Sequence, residues 1–315
     1  MPNNQTKAIT QGAMMIALFL VLIALAYYVP VISIVAFFVA PLPLAWYSAT
    51  YNRNSSIGVV IVAIIASLFI GNILILPFTL ILAATGFIIG ECLRQKKSKI
   101  YLFLATGTAI LLTFAVQYMV LVRFFNVDFI EQSLTLARET YEKSFEYSAS
   151  ITGQEVPKEQ MLQMFKTLEM TMPSSITIAV FALTFIMIAV ILPILKRLKV
   201  DVPKFAPFRD MRLPRAILWY YLIVLSINLF IQPEFGTTLY VVILNLSMIL
   251  WVLLTLQGIS LIHYTIDTFN YPTFLKVLAT ILAIPLYSFV VLIGIIDLGF
   301  NLRDWIKEKS EKIGS

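Results

Sequence analysis

The sequence predicts an all-α, polytopic membrane protein: a bundle of about eight or nine transmembrane helices. Of its 315 residues, 60% are hydrophobic and only 13% are charged. Mean hydropathy is +0.90, a value that a water-soluble chain of this length would not tolerate. Uncharged runs such as Met14–Tyr28, Leu102–Val122 and Ile176–Leu195 approach or reach the roughly 20 apolar residues that cross a bilayer. The lipid bilayer is therefore the expected solvent of this fold.

Apolar windows give the expected spans in chain order. They lie near residues 10–29, 31–50, 56–71, 73–92, 100–123, 174–195, 215–232, 237–262 and 275–299. The first window resembles a signal peptide because Ala24-Leu25-Ala26 mimics a cleavage site. Its apolar stretch is long, however, and only Lys7 precedes it, so a retained helix is favoured.

Segment 126–173 differs from the rest because it is acidic and rich in Glu. Apolar residues recur there at three- and four-residue steps in two runs: Ile130, Leu134, Ala137, Tyr141 and Phe145, then Met161, Phe165, Leu168 and Met172. Thr152-Gly153 and Pro157 mark a break between the runs. We predict an extracytoplasmic, amphipathic helical hairpin. Its apolar stripes either pack on each other or lie on the membrane surface, or the hairpin forms a lid over an outward-facing site.

Orientation follows from Lys and Arg in short loops, which favour the cytoplasmic side. Two basic loops, 94–99 and 196–215, are separated by two spans and so share a side. An even number of spans precedes the first loop, which places the N-terminus in the cytoplasm. The side of the charged C-terminal tail stays open. Nine spans put it outside, whereas eight or ten put it inside, for example if the stretch Ile262–Phe274 re-enters.

Several kinds of chemistry have no support in the sequence. The single cysteine, Cys92, rules out an internal disulfide, and the single histidine, His263, removes multi-histidine metal sites and most Cys/His nucleophile schemes. No Walker A motif or dinucleotide fingerprint occurs. We expect no enzymatic activity, catalytic residue, cofactor, metal site or nucleic-acid partner.

Charged groups at bilayer depth cost about 2.5–3.5 kcal/mol on insertion scales and are therefore functional candidates. Asp297, near the end of the last window, could bind a cation or proton, pair with Arg303, or lie at the interface. His263 and Asp267 are four residues apart, so they share a helical face and could form a hydrogen-bonded proton site. A polar loop explains His263 and Asp267 equally well.

Neutral polar residues within the spans usually bond to neighbouring helices, for a gain of about 0.6 kcal/mol. Asn72 follows Gly71 and precedes Pro77, and broken backbone at membrane depth is tolerated where it lines a cavity. Asn72, Gln117 and Tyr118 are therefore candidate substrate-binding residues, with helix-to-helix bonding as the alternative. That alternative is also the expectation for Asn228, Asn245 and Gln257.

Four stretches carry a family resemblance. They are Lys7-Ala8-Ile9-Thr10-Gln11-Gly12-Ala13-Met14-Met15-Ile16-Ala17, Phe208-Arg209-Asp210-Met211-Arg212-Leu213-Pro214, Leu256-Gln257-Gly258 and Gly294-Ile295-Ile296-Asp297. With them the chain resembles the YybS family of Gram-positive bacteria, a domain of unknown function. Its first part is similar to the substrate-binding S components of energy-coupling-factor (ECF) vitamin transporters. The resemblance implies a bacterial cell membrane, an S-component-like unit over 1–195, and an added part over 196–315.

Ala13 and Ala17 lie four residues apart on the first helix, and small residues at that spacing let another helix approach closely. In S components a similar pair contacts the transmembrane coupling subunit, so the resemblance implies that Ala13 and Ala17 could dock such a partner. Ordinary packing within this chain is the alternative.

Two functions remain from the sequence. The first is a transporter-like component that binds a small molecule and needs a coupling subunit with separate ATPases. The second is a membrane scaffold or regulatory protein that acts through the outer hairpin or the basic loop.

Overall fold

The computed structural model of the protein describes residues 2–152, 158–203, 207–300 and 302–314. Over these ranges the chain forms thirteen α-helices and no β-strand. The helices are α1 Pro2–Tyr28, α2 Ser33–Val39, α3 Leu42–Thr50, α4 Arg53–Gly71, α5 Leu76–Arg94, α6 Lys99–Phe125, α7 Phe129–Thr152, α8 Lys158–Arg197, α9 Ala216–Ser226, α10 Thr238–Thr268, α11 Phe274–Leu282, α12 Tyr287–Phe300 and α13 Leu302–Gly314. The predicted class, a helical polytopic membrane protein, is confirmed.

Six helical stretches of the described chain are long and apolar enough to cross a membrane, or seven if the bent pair α11 and α12 counts as one. The prediction of eight or nine differs for two reasons. Arg53–Arg94 counts as one stretch of 42 residues, although α4 and α5 within it pack against each other. Ala216–Ile231 was predicted as a span but is shorter than the six.

The chain divides into two compact units. The first comprises Met1–Lys143 and Thr177–Lys204, and the second comprises Ser144–Ile176 and Phe205–Ser315. The chain therefore passes between the units inside α7, inside α8 and again near Lys204. The predicted division into 1–195 and 196–315 rests on the family resemblance and stays a prediction.

In the first unit, α3 packs closely on α5 because glycines of α5 face the backbone of α3. A Cβ on Gly86 would lie 2.5 Å from the carbonyl oxygen of Pro41, and one on Gly90 would lie 2.4 Å from that of Ala45. No side chain fits in that space, so the two backbones are in direct contact. Dispersion between close helices, rather than hydrophobic burial alone, stabilises such contacts in lipid.

The turn between α4 and α5 lies at Asn72, which has a φ of 53°. Its ψ of −156° places Asn72 outside the left-handed helical region, in a conformation that residues other than glycine rarely adopt. Here its Oδ1 accepts a hydrogen bond from the Leu74 N–H at 2.9 Å. The backbone break predicted around Asn72 is therefore a capped turn between two helices.

The predicted hairpin corresponds to α7 and the first part of α8. The break predicted at Gly153 and Pro157 lies outside the described residues. The second arm was expected to end near Pro173 before a separate span, but α8 continues without interruption from Lys158 to Arg197. At Pro173, Asn245 of α10 forms hydrogen bonds with the backbone of α8.

In the second unit, the chain leaves α10 at Thr268 and returns to the same end of that helix. α11 packs against α10, with His263 Nε2 2.9 Å from Thr280 Oγ1. α12 follows at a bend of 110°. α13 then returns, and Ser310 Oγ donates to the Thr268 carbonyl at 3.1 Å. α11 and α13 therefore both contact the C-terminal part of α10, and the side of the C-terminal tail stays open.

Candidate functional site

The candidate site is built on a close contact between α10 and α12. A Cβ on Gly258 would lie 2.1 Å from the carbonyl oxygen of Val290, and one on Gly294 would lie 2.2 Å from that of Leu254. The contact places two polar neighbours together, because Gln257 Nε2 donates to Asp297 Oδ2 at 2.5 Å. The side chains of Gln257 and Asp297 are both buried.

Arg303 of α13 extends into this contact and is only 1% exposed. Its Nε donates to Asp297 Oδ2 at 3.2 Å. Its Nη1 donates to the Arg209 carbonyl at 2.6 Å, and its Nη2 donates to the Met211 carbonyl at 2.8 Å. Nη2 also donates to Ser260 Oγ at 3.1 Å. The guanidinium thus joins a carboxylate of α12 to backbone oxygens of the segment that precedes α9.

Ser260 and Gln257 of α10 also bind the segment 208–213. Ser260 Oγ lies 2.9 Å from the Phe208 carbonyl and 3.0 Å from the Met211 carbonyl, and its single proton can serve one of them at a time. Gln257 Oε1 accepts from the Leu213 N–H at 2.9 Å. We call the set Gln257, Ser260, Asp297 and Arg303 the arginine clasp.

The arginine clasp binds the backbone of 208–213 and leaves the side chains of that segment outside. Arg209 and Arg212 have side chains that are 44% and 51% exposed. Arg209 Nη1 pairs with Asp267 Oδ2 at 2.9 Å, and Lys276 also forms an ion pair with Asp267. Arg212 Nη2 lies 4.0 Å from Asp304 Oδ1, so both arginines face a carboxylate as well as solvent. The result is a set of half-exposed ion pairs on a backbone that the arginine clasp holds.

The chemistry of the arginine clasp is that of a buried, hydrogen-bonded ion pair. A guanidinium has five N–H donors, and four contacts of Arg303 use donors on all three of its nitrogens. Asp297 Oδ2 accepts from both Gln257 and Arg303. The carboxylate predicted as an ion or proton site is therefore held by protein donors, and that predicted role stays a prediction.

His263 and Asp267 share the end of α10 but bond to different partners. His263 Nε2 lies 3.1 Å from the Lys276 carbonyl and 2.9 Å from Thr280 Oγ1, both on α11. Asp267 instead pairs with Arg209 and Lys276. Both residues therefore attach α11 to α10, while the proton-site role predicted for the pair stays a prediction.

Two of the three candidate substrate-binding residues are engaged locally. Asn72 caps its own turn. Gln117 instead has a buried Nε2 that finds no hydrogen-bond partner among the described residues. Tyr118 donates its hydroxyl to Asp128 Oδ2 at 2.9 Å. The hydrogen bonds of the described residues do not join these three side chains into one group, and their substrate-binding role stays a prediction.

Asp128 caps the start of α7 outside the spans. Its Oδ1 accepts from the Glu131 N–H at 2.9 Å and from the Ile130 N–H at 3.1 Å. The hydrogen bond from the Glu131 N–H is the main cause that holds the pKa of Asp128 below its usual value. Burial raises this pKa, whereas the Tyr118 hydroxyl and the Ile130 N–H lower it further.

Ala13 and Ala17 are exposed on α1. On the opposite face of the same helix, Phe19 is fully buried and a Cβ on Gly12 would lie 2.9 Å from the side chain of Val59. Ala13 and Ala17 therefore lie on a part of α1 that is accessible from outside the described chain. The docking role that the resemblance implies for them stays a prediction.

Sequence reasoning assigned Gln257 only a general packing role and missed Ser260. A usable signal was present, because Gln257, Ser260 and Tyr264 recur at three- and four-residue steps within an otherwise apolar helix. The backbone carbonyls that complete the site carry no sequence signal at all.

Comparisons with known proteins agree with the family resemblance. The family model described as "Predicted membrane protein (DUF2232)" matches residues 17–298. The "Uncharacterized protein YybS" of Bacillus subtilis (strain 168) is 26% identical over 311 residues, which cover 96% of this chain and 100% of that protein. No solved structure matches the chain. The resemblance to the YybS family is confirmed, and the chain belongs to the DUF2232 family of predicted membrane proteins.

Proposed function

We propose that this multi-pass membrane protein is a non-enzymatic scaffold or regulatory component that binds another integral membrane protein through α1. The observation that carries the proposal is the exposure of Ala13 and Ala17 on the face of α1 opposite Gly12 and Phe19. Close approach of a second helix needs small residues at four-residue spacing. We further propose a bacterial cell membrane with the N-terminus in the cytoplasm, the orientation that the basic loops favour.

The transporter-like role is a narrower version of this proposal. It adds a coupling subunit with ATPases as the partner and a small molecule as the cargo, as the similarity to S components implies. The exposed alanine pair supports the docking part. The cargo part has less support, because Asn72 and Tyr118 are engaged in separate local contacts and no hydrogen bond of the described residues joins either of them to Gln117. We therefore favour the broader proposal.

Affinity purification in mild detergent, with mass spectrometry of copurifying proteins and small molecules, tests both versions. The variant Ala13→Leu with Ala17→Leu should lose the membrane partner, because two bulky side chains prevent close helix contact. The matched control is Ala115→Leu with Ala182→Leu, two alanines exposed on α6 and α8. It should keep the partner.

The outcomes separate the versions. Loss of a coupling subunit and its ATPases, or recovery of a stoichiometric small molecule, supports the transporter-like role. Loss of an envelope or signalling protein supports a scaffold. A partner profile that is identical in the wild type and the α1 variant contradicts docking through α1.

A second candidate function is binding of an acidic partner by the arginines of 208–213. It is favoured by one observation, namely that the arginine clasp holds the backbone of 208–213 while Arg209 and Arg212 stay about half-exposed beside their carboxylate partners. Arg212→Glu reverses one of these charges and removes the ion pair with Asp304, but breaks no bond of the arginine clasp. It should release an acidic partner in the same purification, whereas Arg212→Lys should retain it. Asp304→Asn removes the same ion pair without reversing Arg212 and is the matched control.

A further inference from the structure

Helix α8 contains a proline in its interior. Pro173 has no N–H, and its ring crowds the carbonyl four residues earlier, so a helix normally ends or bends at this point. Yet α8 runs from Lys158 to Arg197 through Pro173. In lipid each backbone group left without a partner is costly, and neighbouring helices are one source of the missing partners.

Asn245 of α10 supplies such partners at this proline. The Ser174 N–H, whose helical acceptor would be the Met170 carbonyl, donates to Asn245 Oδ1 at 2.8 Å. The Met170 carbonyl accepts from Asn245 Nδ2 at 2.7 Å. One amide therefore binds, with its acceptor and its donor, the two backbone groups that the helix would otherwise pair with each other.

The contact is otherwise well enclosed. Ser174 is 1% exposed, and its hydroxyl lies 3.3 Å from Met248 Sδ of α10. The second hydrogen of Asn245 Nδ2 goes to the Val241 carbonyl of its own helix at 2.8 Å. Both N–H bonds of the Asn245 amide and its oxygen therefore have partners, and these three hydrogen bonds set the orientation of the side chain.

We propose that Asn245 is a latch that closes the backbone of α8 where Pro173 opens it, and that α8 opens locally at this proline when the latch is lost. With the amide in place, the Met170 carbonyl and the Ser174 N–H are bound to α10. Without it, these two groups lose their partners on α10 beside a proline that has no N–H of its own. The latch lies entirely in the second unit.

The latch makes a specific genetic prediction, because Asn245 is needed only where the proline opens the helix. Asn245→Leu should shift the unfolding equilibrium in mixed detergent micelles by about 10- to 100-fold, the effect of leaving buried polar groups unpaired. In a Pro173→Ala background the shift should fall to about threefold or less, because Ser174 and Met170 then pair within α8. Pro193→Ala, which removes another proline of the same helix, is the matched control and should give no rescue.

Local opening needs its own measurement. Amide exchange at Ser174 reports whether the backbone opens at Pro173, because the Ser174 N–H is bound by Asn245. We expect slow exchange in the wild type, exchange at least about tenfold faster in Asn245→Leu, and slow exchange again when Pro173→Ala is added. If Asn245→Leu fails to fold, recovery of folding by Pro173→Ala alone, and not by Pro193→Ala, supports the latch. Unchanged exchange at Ser174 in Asn245→Leu, or a rescue that both proline variants share, overturns it.

Discussion

The two compact units use the same kind of helix contact but surround it differently. In the first unit, Gly86 and Gly90 bring α5 against the backbone of α3, beside Leu44 and the small buried side chain of Ser48. In the second unit, Gly258 and Gly294 do the same for α10 and α12, but the surroundings include the buried arginine clasp.

The difference teaches what each kind of contact can specify. Glycine against backbone sets a short distance between two helices and depends on shape alone. The arginine clasp also selects a chain segment, because Arg303 and Gln257 bind a carbonyl and an N–H within 208–213. Buried polar groups contribute specificity of this kind at a cost in desolvation. We therefore expect the first unit to be sensitive to volume and the second to the loss of polar partners.

The largest expected effect is that of Arg303→Met. The substitution leaves Asp297 as an unpaired buried charge and removes the donors to the Arg209 and Met211 carbonyls. Breaking a buried ion pair in this way costs about 3–5 kcal/mol. Reversible unfolding in mixed detergent micelles measures it. The double variant Arg303→Met with Asp297→Leu should recover much of the loss, since a pair replaced by apolar groups is often neutral. A single variant that loses under about 1 kcal/mol would contradict the assignment of Arg303 as the centre of the site.

The next effect compares the glycine contacts directly. Gly258→Ala places a Cβ 2.1 Å from the Val290 carbonyl, and Gly90→Ala places one 2.4 Å from the Ala45 carbonyl. Neither backbone atom can move away without moving a helix, so each variant should lose about 1–3 kcal/mol by overpacking. Gly58→Ala is the control, because nothing lies within 4 Å of its Cβ. It should gain up to about 1 kcal/mol from helix propensity. A Gly90 variant as stable as the Gly58 variant would show that α3 and α5 are not in direct contact.

Amide exchange in Gly258→Ala and Gly90→Ala tests whether the glycine contacts of the two units are independent. Gly258→Ala separates α10 from α12 and should therefore expose the Leu213 N–H, which depends on Gln257. Gly90→Ala should leave that amide protected. Fast exchange at Leu213 in both variants would mean that the glycine contacts are not independent.

The apolar parts of this fold could be predicted from the sequence because periodicity and length carry the information. The windows near 10–29 and 100–123 coincide with α1 and α6. The pairing of Asp297 with Arg303 was among the alternatives, since the two residues lie about two turns apart. Their role could not be predicted, because the acceptors at Arg209 and Met211 are backbone atoms, which every residue has.

Helix α8 shows a second limit of local reasoning. Pro173 predicts the end of a helix by a rule that considers only neighbours in sequence. The rule is wrong here because the missing partners come from Asn245, 71 residues beyond Ser174. Asn245 on its own suggested only a general contact between helices. Long-range satisfaction of backbone groups is therefore the part of the fold that the pattern of residues does not encode.

A smaller effect is expected for Gln257→Leu, which tests whether the arginine clasp holds the backbone of 208–213 in place. Gln257→Leu keeps the volume of the side chain but leaves the Leu213 N–H without its acceptor and Asp297 without one donor. One unpaired buried donor costs about 1–3 kcal/mol. Exchange at Leu213 should rise more than exchange in the first unit, measured on the same sample. Equal changes in both units would indicate a general loss of stability rather than release of 208–213.

The smallest effect belongs to Asp128, which lies outside the apolar core of the first unit and acts on one helix end. Its pKa is lowered in the folded protein, so its carboxylate stabilises the start of α7 above the unfolded pKa of about 3.9. That contribution is lost as the pH falls through the lower, folded pKa. We expect exchange at Ile130 and Glu131 to match that of Asp128→Asn near pH 7 and to exceed it below about pH 4. The Asn variant keeps an acceptor that does not titrate. Exchange at these two amides that follows that of Asp128→Asn at every pH would contradict the assignment of Asp128 as the cap of α7, the local counterpart of the buried arginine clasp.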